Sequence, residues 1–277
     1  MSDATRIKAR IRNLAKEKKL SAQALLQNYL FECFLERLAN SPYRDKFILK
    51  GGVLVAALVG LDARSTMDLD TTVRNLPLDE ANIRKALAAV CAMPADDDVL
   101  FRVGLVKPIR PDDIYGGYRA SLSATFGVIE APLSIDVTAG DAITPGPQKT
   151  RFKRMLDDAK TIELWSYNIE TILAEKIETI LRRNVFSTRP RDFYDVYIFH
   201  AMKNYDVAVL REALAATANH RGTTEEIADY QGILAALDES EPLREIWRKY
   251  RREFHYAKDV PFEAVMDALG DFVQKLT

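Results

Sequence analysis

Asp68 and Asp70 stand two residues apart in a run of apolar and β-branched residues, MDLDTTV over 67–73. The run reads as a strand. Strand side chains alternate faces, so the two carboxylates project from one side and Met67 and Leu69 from the other, into a core. Two adjacent carboxylates repel, and hard divalent cations such as Mg²⁺ or Mn²⁺ take oxygen ligands of this kind. Upstream, Gly51 and Gly52 separate a short apolar run from an apolar helix-like stretch. Glycines at the mouth of a helix let backbone N–H groups approach a phosphate. A phosphate cradle beside a metal-binding carboxylate pair is the equipment of phosphoryl or nucleotidyl transfer. Each feature also has a plain explanation, since Asp-x-Asp arises by chance and a glycine pair is commonly only a turn. Their order along one loop, helix, turn and strand is what favours chemistry.

A third carboxylate is available on a second strand. In APLSIDVT, residues 131–138, Leu133, Ile135 and Val137 share one face and Ser134, Asp136 and Thr138 the other. Asp136 is the expected third metal ligand, also helping to deprotonate an attacking hydroxyl. In isolation the same strand reads equally as an ordinary solvated face. Asp141 is the fallback, although its place after Gly140 suits a turn.

Further on, NIETILAEKIETILRR at 168–183 is a helix with Asn168 as its N-cap. Its apolar stripe is Ile169, Ile172, Leu173, Ile177 and Ile180, and Lys176 lies on that stripe. A lysine facing inward needs an anionic partner or must reach out to solvent. With carboxylates upstream, Lys176 reads as a phosphate contact. Pro190 suits the first position of the next helix, where Asp192 and Asp195, three apart, share a face. The helix dipole alone also accounts for Asp192.

The elements that must position these groups follow from periodicity. Residues 5–19 form a basic amphipathic helix, whose cationic face is read as solvated in preference to an RNA contact. A second helix runs from Ser21 to Asn40 and stops at Ser41-Pro42. A helix over 78–93 opens with Asp79 and Glu80. Strands are expected at 99–106 and 117–129, before the strand carrying Asp136. Pro145-Gly146-Pro147 is the best internal boundary, giving an α/β section over 1–150 and a mostly helical section over 151–277. In the latter, Arg248-Lys249-Tyr250-Arg251-Arg252 is either an RNA-backbone contact or a solvated helix face. His200 is read as a packed core histidine.

Composition narrows the classes. The 277 residues carry a formal net charge of −1, which gives no global pull toward nucleic acid. Cys33 and Cys91 have no metal spacing and read as reduced thiols of a cytosolic protein. The longest apolar run is too short for a bilayer and contains Lys50, so no membrane role is expected. The three histidines, His200, His220 and His255, share no ligand spacing.

The stretch from NLAKEKKLSAQALLQNYLFECFLERLANSPYRDKFILKGG through Asp68-Leu69-Asp70 resembles the AbiEii/AbiGii toxin family, within the polymerase-β-like nucleotidyltransferase superfamily. The resemblance extends to the AEKI helix of Lys176 and to Arg189-Pro190-Arg191-Asp192-Phe193-Tyr194-Asp195, which is similar to the family's R-x-K-D-x-x-D motif. Two positions depart from the pattern. Gly52 replaces the serine of many transferases, and Arg191 replaces the motif lysine, changing donor geometry. The resemblance implies a polymerase-β-like α/β (α+β) core with a helical preface and a C-terminal helical bundle. It further implies an NTP substrate, Asp68, Asp70, Asp136, Lys176 and Asp195 in catalysis, and Gly51, Gly52, Arg64, Ser65, Lys176, Arg189 and Asp192 in binding. It also implies a toxin that modifies RNA, with tRNA 3′ ends the expected acceptor, and a separately encoded antitoxin. The alternatives are nucleotidylation of a protein or a small molecule, and a nucleotide-binding module without catalysis.

Overall fold

A computed structural model of the chain describes residues 3–64, 66–109 and 116–276. The chain divides into two compact units. The first comprises 1–140 with 148–166, and the second 141–147 with 167–277.

The first unit begins with α1 (Asp3–Lys18) and α2 (Ala22–Ala39). Ile11 and Ala15 of α1 are buried while its lysines and arginines face out, the solvated-face arrangement. Ser21 caps α2, its hydroxyl accepting from the Ala24 N–H at 3.4 Å. Then come β1 (Phe47–Lys50), α3 (Gly51–Val59), β2 (Leu69–Val73) and α4 (Glu80–Cys91). Asp79 is the N-cap of α4 and accepts from the Asn82 N–H at 2.8 Å. Next are β3 (Val99–Ile109), β4 (Gly117–Phe126), β5 (Ile129–Ala139), β6 (Gln148–Arg154) and β7 (Asp157–Ser166).

These seven strands form one mixed sheet in the order β3-β4-β5-β2-β1-β7-β6. The pairs β2/β5 and β1/β7 are parallel and the rest antiparallel. One face of the β3-β4-β5 side is closed by α2 and α4. Val106, Ala120, Leu122, Leu133, Ile135 and Leu69 are buried there. The alternate positions, such as Arg102, Lys107, Arg119 and Ser121, are exposed. This is the apolar-in, polar-out alternation of a half-covered sheet.

The strands expected around Asp70 and Asp136 are present. The expected strand over 117–129 instead ends at Phe126, and Gly127 at φ 60° turns the chain into β5. Residues 148–166 are strands, not helices. Their exposed positions are occupied by Lys149, Arg151, Lys153, Lys160 and Glu163, and this charge obscures a period-two pattern with few apolar members.

The second unit is helical: α5 (Ile169–Arg183), α6 (Pro190–Met202), α7 (Val207–Arg221), α8 (Tyr230–Glu239), α9 (Glu241–Glu253) and α10 (Phe262–Leu276). Asn168 caps α5 and Pro190 opens α6. His200 is not a core residue. It is half-buried, and its Nε2 lies 2.9 Å from Asp271. Among the described residues no helix is long and apolar enough to cross a membrane.

Candidate active site

Strand pairing gathers charged residues into one row across the sheet. Lys50 of β1 is registered with Asp70 of β2, Asp70 with Asp136 of β5, Asp136 with Arg119 of β4, and Arg119 with Lys107 of β3. Register partners share a face. Five strands thus present, in order, a cation, two carboxylates and two cations. Asp68 precedes β2 and is exposed, while Leu69 between the two aspartates is fully buried. The expected alternation holds for Leu69 and Asp70 within β2, whereas Met67 and Asp68 lie before the strand and Met67 is only half-buried.

Asp70 sits where β1 turns into α3. The Gly52 N–H donates to Asp70 Oδ2 at 3.4 Å. Gly51 has φ 64°, and a Cβ there would lie 2.0 Å from Asp70 Oδ2. A Cβ on Gly52 would lie 2.5 Å from Thr66 Oγ1. Both glycines are thus required by the close packing of the β1–α3 turn against Asp70 and Thr66. Burial pushes the Asp70 carboxyl above the usual carboxylate range. Lys50 opposes the shift, while Asp136 and Asp68 add to it.

Asp136 is held differently. Arg119 donates from Nε to Oδ1 at 2.7 Å and from Nη2 to Oδ2 at 2.7 Å. The Asp136 side chain is 15% exposed and that of Arg119 54% exposed. Among the described residues, no group of three or more His, Cys, Asp or Glu side chains is gathered so as to hold a metal ion. Asp136 is turned to its β4 neighbour in this arrangement. The donors nonetheless suit a hard divalent cation. Asp70 and Asp136 are carboxylates on adjacent register positions of one face, with Asp68 two residues from Asp70, and the like charge pressing on Asp70 is what a cation would relieve.

Of the other expected residues in this unit, Arg64 is buried and Ser65 lies outside the described residues. Arg119, Lys107 and Lys50 were not singled out from the sequence. The alternation of 117–126 does put Arg119 on a polar face, but its pairing with Asp136 depends on long-range register.

In the second unit, Lys176 Nζ lies 2.9 Å from Asp192 Oδ1 and 2.6 Å from Asp195 Oδ2. Asp195 is fully buried. Arg189 Nε meets Asp192 Oδ2 at 2.8 Å. The inward lysine thus has anionic partners one helix away. Arg191 lies over the Phe254 ring at 5.0 Å. Asp141 accepts from the Tyr167 hydroxyl at 2.6 Å. In the basic run of α9, Arg248 pairs with Glu241 and Glu245, and Arg252 lies 3.6 Å from Glu245. Local carboxylates balance these arginines.

A mixed α/β unit with a carboxylate-bearing sheet face, followed by a helical unit, is thus the frame of the protein. Its sequence matches the nucleotidyl transferase AbiEii toxin family, of type IV toxin–antitoxin systems, over residues 33–269. The chain belongs to that family, as its preface and ordered motifs implied. No curated protein sequence is significantly similar to it. Among solved structures it is similar to a putative nucleotidyltransferase from H. pylori, with 17% identity, TM-score 0.48, and coverage of 93% of this chain and 96% of that one. It is also similar to JHP933 from Helicobacter pylori, with 16% identity, TM-score 0.48 and 93% of each chain covered. A third is an antigenic nucleotidyltransferase-like protein from Paracoccidioides brasiliensis, with 14% identity, TM-score 0.42, and coverage of 73% of this chain and 92% of that one.

Proposed function

We propose that the protein transfers a nucleotidyl group from an NTP to an RNA hydroxyl, releasing pyrophosphate, with the tRNA 3′ end as acceptor. The observation that carries this reading is the direct pairing of Asp70 with Asp136 on adjacent strands, beside the glycine-lined start of α3. Asp68, Asp70 and Asp136 would hold a divalent cation, Mg²⁺ or Mn²⁺, which when bound supplies electrostatic stabilisation of the phosphoryl oxygens. The remaining work belongs to the chain. Asp136 accepts the proton of the attacking hydroxyl. The turn at Gly51 and Gly52 lets Asp70 pack directly against its backbone, where a side chain would clash. Lys176, oriented by Asp192 and Asp195, is the phosphate-contacting lysine of the second unit, and Arg189 steadies Asp192. Arg64 and Ser65, which precede the carboxylates in sequence, are read as nucleotide-binding residues. A separately encoded antitoxin neutralises the activity.

The test is incubation of the purified chain with Mg²⁺, total tRNA and each labelled NTP in turn, beside Asp70→Asn. Label on tRNA from the parent alone supports the reading and identifies the base. Label on polypeptide moves the acceptor to protein. No transfer of any nucleotide, with nucleotide still bound, removes the catalytic reading.

A further inference from the structure

The charged row is asymmetric. Asp70 and Asp136 are half-buried, whereas Arg119 and Lys107 at its outer end are exposed. Arg119 engages both oxygens of Asp136, the strong bidentate form of the interaction. Lys107 is its register partner on the other side. Like charges directly opposite one another repel, so Lys107 drives the guanidinium toward Asp136. Asp136 attracts it most, with Asp68 and Asp70 adding to the pull. The guanidinium can withdraw into solvent, but the carboxylate is fixed on a central strand.

We propose that Arg119 is the resident cation of Asp136, a positioning residue that competes with a divalent cation for this carboxylate and so sets the cation concentration at which the carboxylate site assembles. The inference rests on the reading of Asp68, Asp70 and Asp136 as cation ligands. With Arg119 in place, Asp136 has both oxygens committed. With Arg119 displaced, Asp136 is returned to its neighbour Asp70, and the freed guanidinium stands beside Lys107 on the open face.

The experiment is Mn²⁺ titration of the full chain without nucleotide or RNA, read from the electron paramagnetic resonance of free Mn²⁺. The proteins are the parent, Arg119→Gln, Arg119→Lys, Asp136→Asn and the double variant Arg119→Gln/Asp136→Asn. Arg119→Gln is expected to lower the Mn²⁺ Kd by roughly three- to tenfold, the range for a charge-assisted contact with one partner in solvent. Arg119→Lys, which keeps the charge and loses the bidentate fork, falls between it and the parent. In the Asp136→Asn background the gain shrinks. A Kd that Arg119→Gln leaves unchanged or raises, while Asp136→Asn weakens binding, overturns the inference and leaves the carboxylate reading standing. A gain of the same size in the Asp136→Asn background assigns the effect to the general field and also overturns it. No Mn²⁺ binding by folded parent or Arg119→Gln removes both.

Discussion

Lys176 shows how a single inward charge is made tolerable. It lies on the apolar stripe of α5 and is met there by Asp192 and Asp195, the latter fully buried. Removing one member of such a group leaves charge behind in a poorly hydrated place. Lys176→Met is therefore expected to cost about 2–4 kcal/mol in urea denaturation. Adding Asp195→Asn should recover a good part of that loss. If the single variant unfolds at the parent's midpoint, the ion group is not structural. The conservative Lys176→Arg would keep charge but not fit the spacing of the two carboxylates, and should sit between.

The element that controls the carboxylate-bearing face is the β1–α3 turn. Its glycines do not merely permit a turn, because Asp70 occupies the space a Cβ at Gly51 would need. Gly51→Ala meets both a positive φ and a 2.0 Å overlap, so it should destabilise by about 1–3 kcal/mol and displace Asp70. Loss of transfer activity together with stability is the expected result. Wild-type activity at reduced stability would separate the turn from the site.

On α2, Glu32 accepts from the Met155 N–H at 2.9 Å, and its other oxygen, buried, has no hydrogen-bond partner. Burial pushes its carboxyl from an ordinary 4.5 up to about 7, against the pull of Met155 and Arg154. The folded chain therefore holds this proton more tightly than the unfolded chain. Stability is undiminished below about pH 4.5, falls as pH rises toward 7, and levels above that. Glu32→Gln should remove the penalty. Its advantage over the parent would be about 2–4 kcal/mol at pH 8 and close to zero at pH 4, measured by denaturant midpoints. A pH-independent difference would mean that Glu32 titrates normally.

For the molecule as a whole, family membership predicts a growth phenotype that resides in the chemistry. Induced expression should arrest growth, and Asp70→Asn, expressed to the same level, should not. Equal arrest by both would place toxicity elsewhere in the chain. The overall charge of −1 also limits how the proposed RNA acceptor would be held. A chain without a broad basic field depends on few phosphate contacts. The slope of log affinity against log salt should therefore be shallow, on the order of −4 or less in magnitude. A much steeper slope would require a basic surface larger than local patches supply.

Much of this was legible in the sequence, and the division has a physical basis. Helix periodicity, the caps Ser21, Asp79 and Asn168, and the alternation around Asp70 and Asp136 are local, so the residues themselves decide them. The inward position of Lys176 is equally local, and so is its need for a partner. The strands at 148–166 were hidden because their outward charges outnumber their buried residues and no helix-free signal marks them. The row from Lys50 to Lys107 could not be seen, because it depends on the register of five strands drawn from positions 50 to 136. Register is set by how the whole sheet buries its apolar face against α2 and α4. Sequence alone determined which carboxylates and cations were available and which way each would face on its own element. Only the tertiary structure decided which of them became neighbours, and so placed Arg119 on Asp136.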